Sequence, residues 1–415
     1  MAQGRQGASI TSFPKEKIDI LLLENIHESA EQLLTAEGFH VERLKTALPE
    51  DELCRRLASA HVVGLRSKTQ ITQKVLLEAK RLLTVGCFCI GTNQVDLKTA
   101  NARGVPVFNA PFSNTRSVAE MVIAETVMLA RQLGDRSREV HGGQWHKVAT
   151  GSREIRGKVL GIVGYGHIGR QVGVLAEAMG MQVIFYDRVT KLPMGNNRAV
   201  ASLGELLAEA DFVTLHVPAA PDTFEMIGPE ELSRMKPTAS LINASRGTVV
   251  QIPALAEAVK SGKVAGAAID VFPLEPASNG NDFVSELQGL PNVILTPHIG
   301  GSTEEAQESI GREVATSITR FINEGATTGA VNFPQVELPL MPGTHRILNV
   351  HRNVPGVLRD VNRIVSERNA NIHSQTLSTD PDIGYLVMDL DQSVSNEVRD
   401  DIAALSTSIR TRILY

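Results

Sequence analysis

Short apolar runs alternate with amphipathic stretches along most of the chain. Residues 18–23 form an almost continuous apolar run, which predicts a strand buried on both faces, and residues 28–37 show helical spacing that ends at Gly38. Further strands are predicted at 61–65, 82–89 and 106–108. Because strands that alternate with helices usually pair in parallel, this part of the pattern predicts a parallel sheet with helices on both faces.

A second alternating series follows a long amphipathic segment at 117–133. Ser117, with Glu120 three residues later, predicts an N-cap and a capping box at the start of that helix. The predicted strands lie at 158–163, 181–186, 212–217, 240–243, 265–271 and 293–295. This series predicts a doubly wound unit of its own, and the helical segment 302–324 after its last strand predicts that the chain returns to the first domain.

A compact tail follows a proline-containing stretch at 332–343. Its pattern reads strand, helix, two strands, helix and strand, at 346–351, 355–368, 371–378, 383–391, 396–405 and 408–414. This order predicts a ferredoxin-like βαββαβ unit. Because a unit of about 70 residues is small for independent folding, we expect it to pair with a second copy.

Composition narrows the class of protein. A formal net charge of −5 argues against nucleic acid or an anionic membrane as the main partner. No run approaches the roughly 20 apolar residues of a membrane span, and residues 1–12 lack the apolar core of a signal peptide. The three cysteines have no companion cluster at zinc spacing, so no metal is expected, and they fit a reducing compartment. We therefore expect a cytoplasmic protein.

A glycine-rich turn stands between a predicted strand and a helix at 164–169, which read Gly-Tyr-Gly-His-Ile-Gly. This context is typical of a dinucleotide site. Gly164 permits the tight turn, Gly166 lets backbone approach a pyrophosphate, and Gly169 lets helix and strand pack closely. The first helical residues, His167 and Ile168, lie at the positive end of the helix dipole, which favours phosphate.

The next predicted strand ends at Asp187, eighteen residues after Gly169. A carboxylate there accepts hydrogen bonds from ribose hydroxyls and repels a 2′-phosphate, which predicts NAD rather than NADP. Arg188 beside it weakens that preference slightly. The alternative is a structural glycine turn followed by a surface aspartate.

Three residues at predicted strand ends have the chemistry of hydride transfer from a 2-hydroxy acid. That reaction needs a base for the hydroxyl proton, a cation for the carboxylate and a carboxylate that orients the base. His298, Arg246 and Glu275 supply one of each, at the edge where doubly wound folds bind ligands. Taken singly, each would more often be a cap or a surface ion pair.

The segments around these residues resemble the signature of the D-isomer-specific 2-hydroxy-acid dehydrogenases. They read Asn-Ala-Ser-Arg-Gly at 243–247, Asp-Val-Phe-Pro-Leu-Glu-Pro at 270–276 and Thr-Pro-His-Ile-Gly-Gly at 296–301. The resemblance implies NAD as cofactor, His298 as acid/base, Glu275 bonded to its ring and Arg246 on the substrate carboxylate. It also implies that Asp270 lies at the nicotinamide end. The other implied cofactor contacts are Ala244, Ser245, Gly300 and Gly301.

A basic loop follows the strand predicted at 61–65. Arg66 and Lys68, together with Lys45, could receive a second anion on the substrate, such as a phosphate, although basic residues on a loop are usually only solvated. The resemblance runs from Phe13 to the end of the chain, and segments 86–96 and 109–117 carry it toward family members that act on a phosphorylated substrate.

That resemblance implies oxidation of 3-phosphoglycerate to 3-phosphohydroxypyruvate, the first step of L-serine biosynthesis. Arg66, Ser67 and Asn114 would hold the substrate. Two positions depart from the family pattern: Lys68 stands where arginine is common, and Gln251 replaces a common aspartate at a predicted turn or helix start.

The tail resembles an ACT domain, a module that binds amino acids at paired interfaces. A polar loop precedes its first helix, whose N-terminal N–H groups suit a carboxylate. The resemblance assigns His351, Asn353 and Asn371 to L-serine as feedback inhibitor and implies a homo-oligomer, a tetramer. The two asparagines would suit ordinary turns equally well.

These predictions combine into an α/β protein with two doubly wound parallel-sheet domains and a C-terminal ferredoxin-like ACT domain. The predicted boundaries are 13–113 with 301–338 for the substrate-binding domain, 114–300 for the Rossmann-type NAD domain and 344–415 for the tail. Other functions stay open: a dehydrogenase for a phosphate-free substrate such as glyoxylate, hydroxypyruvate or 2-oxoglutarate, an NADH-binding corepressor-like scaffold, and a serine sensor without activity. The tail argues against the scaffold, and the three intact catalytic residues argue against the inactive sensor.

Overall fold

The computed structural model describes residues 13–276 and 280–415 and divides into two compact units. One unit ends at Ser113 and resumes at Gln307, and the other is Asn114–Ala306. The prediction about a signal peptide at residues 1–12 lies outside the described residues. Among the described residues, no helix is long and apolar enough to cross a membrane.

The first unit opens with a parallel sheet. Its strands are β1 (Asp19–Leu22), β2 (His40–Arg43), β3 (Val62–Leu65), β4 (Thr84–Cys87) and β5 (Val107–Asn109). The helices between them are α1 (Glu28–Ala36), α2 (Glu50–Leu57), α3 (Gln73–Glu78) and α4 (Leu97–Ala102). The strand order β2-β1-β3-β4-β5 confirms the parallel doubly wound prediction, although the pattern missed β2, whose residues are mostly exposed.

The second unit is built on a larger parallel sheet. Its elements are α5 (Thr115–Arg131), α6 (Leu133–His141), β6 (Val159–Val163), α7 (His167–Ala178), β7 (Gln182–Tyr186), β8 (Arg198–Ala199), α8 (Leu203–Glu209), β9 (Phe212–Leu215), α9 (Pro229–Arg234), β10 (Ser240–Asn243), α10 (Ile252–Lys260), β11 (Gly266–Ile269) and β12 (Val293–Leu295). The strand order is β12-β11-β10-β9-β6-β7-β8. It turns back on itself between β6 and β9, which is where open α/β sheets bind ligands.

The N-cap predicted for α5 was wrong. The helix begins at Thr115 with Asn114 at its N-cap position, so Ser117 lies in the first turn. The Ser117 hydroxyl instead bonds the Thr303 hydroxyl at 2.9 Å, and Glu120 pairs with Arg116. Gln251 does stand at a helix start, as the N-cap residue of α10.

The remaining elements belong to the first unit, apart from residues 304–306 at the start of the first helix. They are α11 (Glu304–Glu324), β13 (His345–Arg352), α12 (Val357–Glu367), β14 (Ile372–Thr379), β15 (Ile383–Leu390), α13 (Ser395–Ala403) and β16 (Ser408–Leu414). The last four strands form an antiparallel sheet, β14-β15-β13-β16, which confirms the βαββαβ prediction. A Cβ on Gly86 would lie 2.8 Å from Val314 and Ile318, so glycine lets β4 approach α11 closely.

Helix α11 and the tail's sheet share one apolar core within the first unit. Ile318 and Phe321 on the helix belong to the same buried cluster as Leu348 and Tyr385 on the sheet. The Tyr385 hydroxyl also donates to the backbone oxygen of Gly325, just beyond the helix end. The tail therefore buries one face of its sheet against α11.

A buried guanidinium adds a polar anchor to this contact. Arg346 on β13 is 2% exposed and binds the Asp389 carboxylate through two hydrogen bonds of 2.7 and 2.8 Å. Its three other N–H groups donate to the backbone oxygens of Glu324, Leu338 and Pro339 at 2.7–2.9 Å. Since arginine has five N–H donors, all of them are used.

Candidate active site and effector site

The glycine turn after β6 has the geometry that its sequence predicts. Gly164 has φ +91°, and a Cβ there would lie 2.4 Å from the backbone oxygen of His216. A Cβ on Gly169 would lie 2.3 Å from the Gly164 oxygen, so this glycine allows α7 to pack closely. A Cβ on Gly166, by contrast, would meet nothing within 4 Å. The turn is closed on its protein side and open at Gly166, directly before α7 begins at His167.

Asp187, directly after β7, is fixed beside this turn. Its carboxylate accepts the Tyr165 N–H at 2.9 Å and the Val189 N–H at 3.0 Å. The neighbouring Arg188 is exposed and engaged by Asp222. The carboxylate is thus oriented by backbone, while the cation that could favour a 2′-phosphate has another partner.

The residues around the turn fit a dinucleotide. Burial lowers the pKa of His216 to about 3, so the ring is neutral. Its Nε2 bonds the Thr214 hydroxyl at 3.0 Å, and its Nδ1 is buried without a hydrogen-bond partner in the described chain. Together with the open space at Gly166 and the carboxylate of Asp187, this leaves polar atoms and room for a bound nucleotide.

Arg246 is held in a turn organised by a buried amide. Asn243, fully buried at the end of β10, accepts the Ser245 N–H and hydroxyl at 3.0 and 2.7 Å and donates to the Arg246 oxygen at 3.0 Å. Arg246 Nη1 donates to the Ser245 oxygen, and no other partner of the guanidinium occurs among the described residues. A Cβ on Gly247 would lie 2.0 Å from the backbone of Phe272, so the turns after β10 and β11 meet here. Ala244 occupies the same turn.

His298 and Glu275 form a hydrogen-bonded pair. Nδ1 of His298 lies 2.8 Å from Glu275 Oε2, and Glu275 Oε1 accepts the Phe272 N–H at 3.1 Å. Because a carboxylate can only accept, the ring donates from Nδ1, which leaves Nε2 for a ligand. The His298 side chain is 51% exposed. The pair is therefore oriented by protein yet open to solvent.

Asp270 shapes the loop that carries His298. This carboxylate is 2% exposed and accepts the Thr296 hydroxyl and the N–H groups of Ile299 and Gly300 at 2.6–2.9 Å. The Asp270 backbone oxygen accepts the His298 N–H at 2.8 Å. His298 itself has φ +56°, a left-handed conformation that costs a non-glycine residue about 1 kcal/mol or more. The four hydrogen bonds around Asp270 hold that conformation.

Asn114 lies against the same loop. A Cβ on Gly301 would stand 2.2 Å from Asn114 Nδ2, so the amide packs on the loop backbone three residues after His298. The amide oxygen of Asn114 is buried without a hydrogen-bond partner in the described chain. The second unit thus gathers Asn114 with the residues predicted to be catalytic.

The basic residues predicted to hold the substrate lie in the first unit. Lys45 follows β2, and Arg66, Ser67 and Lys68 follow β3. The side chains of the three basic residues have no hydrogen bond or ion pair among the described residues. Glu24, 8% exposed, accepts the backbone N–H groups of residues 68 and 69 at 3.0 and 2.7 Å. The loop is therefore anchored by a buried carboxylate, while the side chains of Arg66 and Lys68 have no hydrogen-bond or ion-pair partner in the part of the chain that the structure describes.

Three supporting residues escaped the sequence prediction. Asn243 orders the Arg246 turn, Glu24 anchors the basic loop, and Gln94 donates to the Arg66 backbone oxygen at 2.6 Å. The signal available for Asn243 and Glu24 was a polar side chain at the end of a buried strand. Gln94, 3% exposed within a loop, had none.

The three predicted effector residues do not meet within one chain. His351 pairs in register with Gly384 at the start of β15, and Asn353 Nδ2 donates to the Asp380 oxygen in the adjoining turn. Asn371 precedes β14, whose first residue pairs with Leu390 at the far end of β15. Strands rise about 3.4 Å per residue, so Asn371 lies roughly 20 Å from the other two.

Comparison with known proteins gives the family context. Residues 123–300 match the model for the D-isomer specific 2-hydroxyacid dehydrogenase NAD-binding domain, and residues 347–410 match the AHAS small subunit-like ACT domain. The chain is 57% identical to D-3-phosphoglycerate dehydrogenase of Dictyostelium discoideum, covering 98% of this chain and 99% of the relative. Identity to D-3-phosphoglycerate dehydrogenase of Escherichia coli K12 is 51%, over 97% of this chain and 99% of that relative.

Solved structures agree with the fold. D-lactate dehydrogenase from Aquifex aeolicus, complexed with NAD and lactic acid, is 28% identical and has a TM-score of 0.65. The match covers 76% of this chain and 100% of that chain.

Proposed function

The chain belongs to the D-3-phosphoglycerate dehydrogenases, within the D-isomer-specific 2-hydroxy-acid dehydrogenase family, and from this premise we propose that it oxidises 3-phosphoglycerate to 3-phosphohydroxypyruvate. NAD is its cofactor. The main support for the proposal is the hydrogen-bonded pair of His298 and Glu275, on a loop held by Asp270. Arg246 lies in the turn after β10, which packs against the turn after β11.

The residues divide the chemistry as follows. Arg246 binds the substrate carboxylate through its unpartnered guanidinium N–H groups. Nε2 of His298 accepts the proton of the C2 hydroxyl, and Glu275 stabilises the imidazolium that forms. When bound, NAD supplies the acceptor for the C2 hydride. In the reverse direction the imidazolium returns its proton to the ketone oxygen.

Cofactor binding falls to the glycine turn and to Asp187. Gly166 and the N-terminus of α7, from His167 to Gly169, would receive the pyrophosphate, and Asp187 the ribose hydroxyls. Asp270 with Gly300 and Gly301 would border the nicotinamide, and Ala244 and Ser245 the adjoining ribose.

The unpartnered cations of the first unit support a phosphorylated substrate. Lys45, Arg66 and Lys68 have no partner in the described chain, and Ser67 adds a hydroxyl donor beside them. Such a set suits a dianionic phosphate, since a carboxylate alone is already assigned to Arg246. A phosphate-free substrate such as hydroxypyruvate would leave these cations without a role.

A direct comparison of substrates tests this proposal. We expect kcat/KM for 3-phosphohydroxypyruvate to exceed that for hydroxypyruvate by at least about 100-fold, since two charge-assisted bonds contribute about 1.5–3 kcal/mol each. Arg66→Met should lower the ratio of the two kcat/KM values most of the way to one. Arg81→Met, at the opposite end of the same sheet, is the matched control and should leave it unchanged. Equal rates on both substrates would reject the phosphate assignment.

We further propose that L-serine inhibits the enzyme by binding between two tails. Antiparallel pairing of two β14 edges would bring Asn371 of the partner subunit to the β14–β15 turn, beside Asn353 and His351. This arrangement accounts for the roughly 20 Å separation within one chain. Calorimetry with the full chain should detect serine binding that Asn353→Ala and Asn371→Ala each abolish. Binding that survives both changes would contradict this site.

We also propose a homo-oligomer, a tetramer, that acts in the cytoplasm in serine biosynthesis. Leu133, Val140, Trp145 and Val148 expose apolar surface on and after α6, with Trp145 81% exposed. Exposed apolar surface of this kind favours a contact between subunits. Light scattering with size exclusion should give four times the chain mass of 44.8 kDa. A monomer would contradict both this contact and the paired tails.

A further inference from the structure

Glu125 interrupts the apolar face of α5. Val118, Val122 and Leu129 lie on the same side of the helix at three- and four-residue spacing, and all three are buried in one apolar cluster. Glu125 falls in this series and is 3% exposed. A leucine or methionine would be the ordinary residue at such a position, so the carboxyl group requires a reason.

The carboxyl group of Glu125 has no hydrogen-bond partner among the described residues. Both of its oxygens are buried, and neither forms a hydrogen bond in the described chain. An isolated carboxylate in apolar surroundings is strongly disfavoured, so the group retains its proton instead. Burial, followed by the negative charge of Asp270, raises the pKa of Glu125 to about 8. At neutral pH the side chain is therefore a buried carboxylic acid close to its point of ionisation.

Contacts one turn before and one turn after Glu125 on α5 locate it relative to the loop that carries His298. A Cβ on Gly300 would lie 3.0 Å from Asp270 Oδ2 and 3.2 Å from Met121 Cε, so both side chains border Gly300. At the other end, the Leu129 oxygen accepts a bond from Asn292, just before β12. Glu125 lies midway, one turn and about 6 Å of helix rise from Met121.

Among the described groups on the elements packed around Glu125, one charge acts on it, that of Asp270. Strands β10, β11 and β12 contain no titratable residue, and α7 faces α5 with Val172 and Ala176. On α6, Asp135 is engaged by the Asn292 N–H. Of the described charged groups, Asp270 is the one that acts on Glu125.

We propose that Glu125 is a buried acid whose protonation follows the redox state of the bound nicotinamide: it releases its proton to solvent more readily when NAD⁺ is bound and takes a proton up again when NADH is bound. The inference rests on the proposed function, because it takes Asp270 to lie at the nicotinamide end. Oxidised nicotinamide carries a positive charge that reduced nicotinamide lacks. The positive charge favours ionised Glu125, and its loss favours the neutral acid. By linkage, raising the pH until Glu125 ionises must weaken the binding of NADH relative to the binding of NAD⁺.

The test is the ratio of the dissociation constants of NADH and NAD⁺, measured by titration from pH 6.5 to 9.5. In the wild type we expect the ratio to rise on the order of tenfold, as for two charges about 12 Å apart at an effective dielectric constant near 20. In Glu125→Gln, which cannot ionise, the ratio should stay level. Glu120→Gln, an exposed glutamate on the same helix, is the matched control and should follow the wild type.

The protein without cofactor provides a second readout. Relative to the wild type, Glu125→Gln should gain thermal stability as the pH rises from 5.5 to 9, because it never buries a charge. Should this variant not fold, Glu125→Leu, which continues the apolar face, replaces it in both experiments.

The outcomes separate the two claims. A wild-type ratio that does not change with pH, or one that changes equally in Glu125→Gln, would overturn the proton exchange even though NAD binds. A stability difference independent of pH would overturn the buried neutral acid itself. Failure of either nucleotide to bind would instead reject the proposed function and, with it, the coupling to nicotinamide.

Discussion

Replacing Arg346 by methionine should destabilise the first unit far more than loss of an ordinary ion pair. The change keeps much of the side-chain volume but removes five hydrogen bonds, and it leaves the Asp389 carboxylate, 1% exposed, without its cation. Breaking a buried pair from one side costs about 3–5 kcal/mol because the remaining charge is uncompensated. Since Arg346 donates to the backbone oxygen of Glu324, the last residue of α11, the amides at this helix end should also exchange hydrogen faster.

Urea unfolding followed by circular dichroism measures this cost, and hydrogen exchange locates it at the end of α11. Arg359→Met is the matched control, because Arg359 pairs with Asp360 at 3.0 Å while 78% exposed, and its loss should cost less than about 1 kcal/mol. The double variant Arg346→Met/Asp389→Leu should recover about 1–3 kcal/mol by removing the stranded charge. Arg346→Met within 1 kcal/mol of the wild type, or a double variant no better than the single, would refute the reasoning.

Three further outcomes follow from the site. Glu275→Gln should lower kcat about 100-fold in steady-state assays, because the imidazolium loses its carboxylate, and an unchanged kcat would remove Glu275 from the mechanism. Asp187→Ser should lower the preference for NAD over NADP by tenfold or more in KM measurements; an unchanged preference would contradict its role at the ribose. The pKa of Glu125 is about 8 when folded and 4.5 as its ordinary value, so the folded state holds the extra proton and its stability falls as pH rises between them. At about 1.4 kcal/mol per pKa unit the loss is at most roughly 5 kcal/mol, and urea unfolding at pH 5 and 9 should detect it in the wild type and not in Glu125→Leu.

The sequence predicted those parts of the molecule whose chemistry lies in short contiguous segments. The turn at Gly164–Gly169 could be interpreted because each glycine has a local steric role, and the structure shows each close approach. His298 and Glu275 stand in separate segments, yet both follow buried strands of one parallel sheet, and such strand ends meet at one edge. Their 2.8 Å contact follows from that topology.

Long-range contacts set the limit of sequence prediction. Ser117 and Asn114 are both good N-cap residues about one turn apart. The helix begins after Asn114, and the Ser117 hydroxyl bonds Thr303, a contact that the local sequence does not reveal. The partners Arg346 and Asp389 lie on strands whose register no local pattern gives. For the same reason the sequence could not reveal that Asn371 lies at the far end of the tail's sheet from His351.

The proposed activity and its regulation are tested together by measuring the oxidation of NADH by the wild-type chain with 3-phosphohydroxypyruvate, with and without L-serine. We expect rapid turnover that serine suppresses, with hydroxypyruvate a much poorer substrate. A turnover rate that does not change when serine is added would support the proposed dehydrogenase activity and reject the effector site between paired tails. No turnover with 3-phosphohydroxypyruvate, while phosphate-free keto acids are reduced, would contradict the central claim that Lys45, Arg66 and Lys68 bind a substrate phosphate.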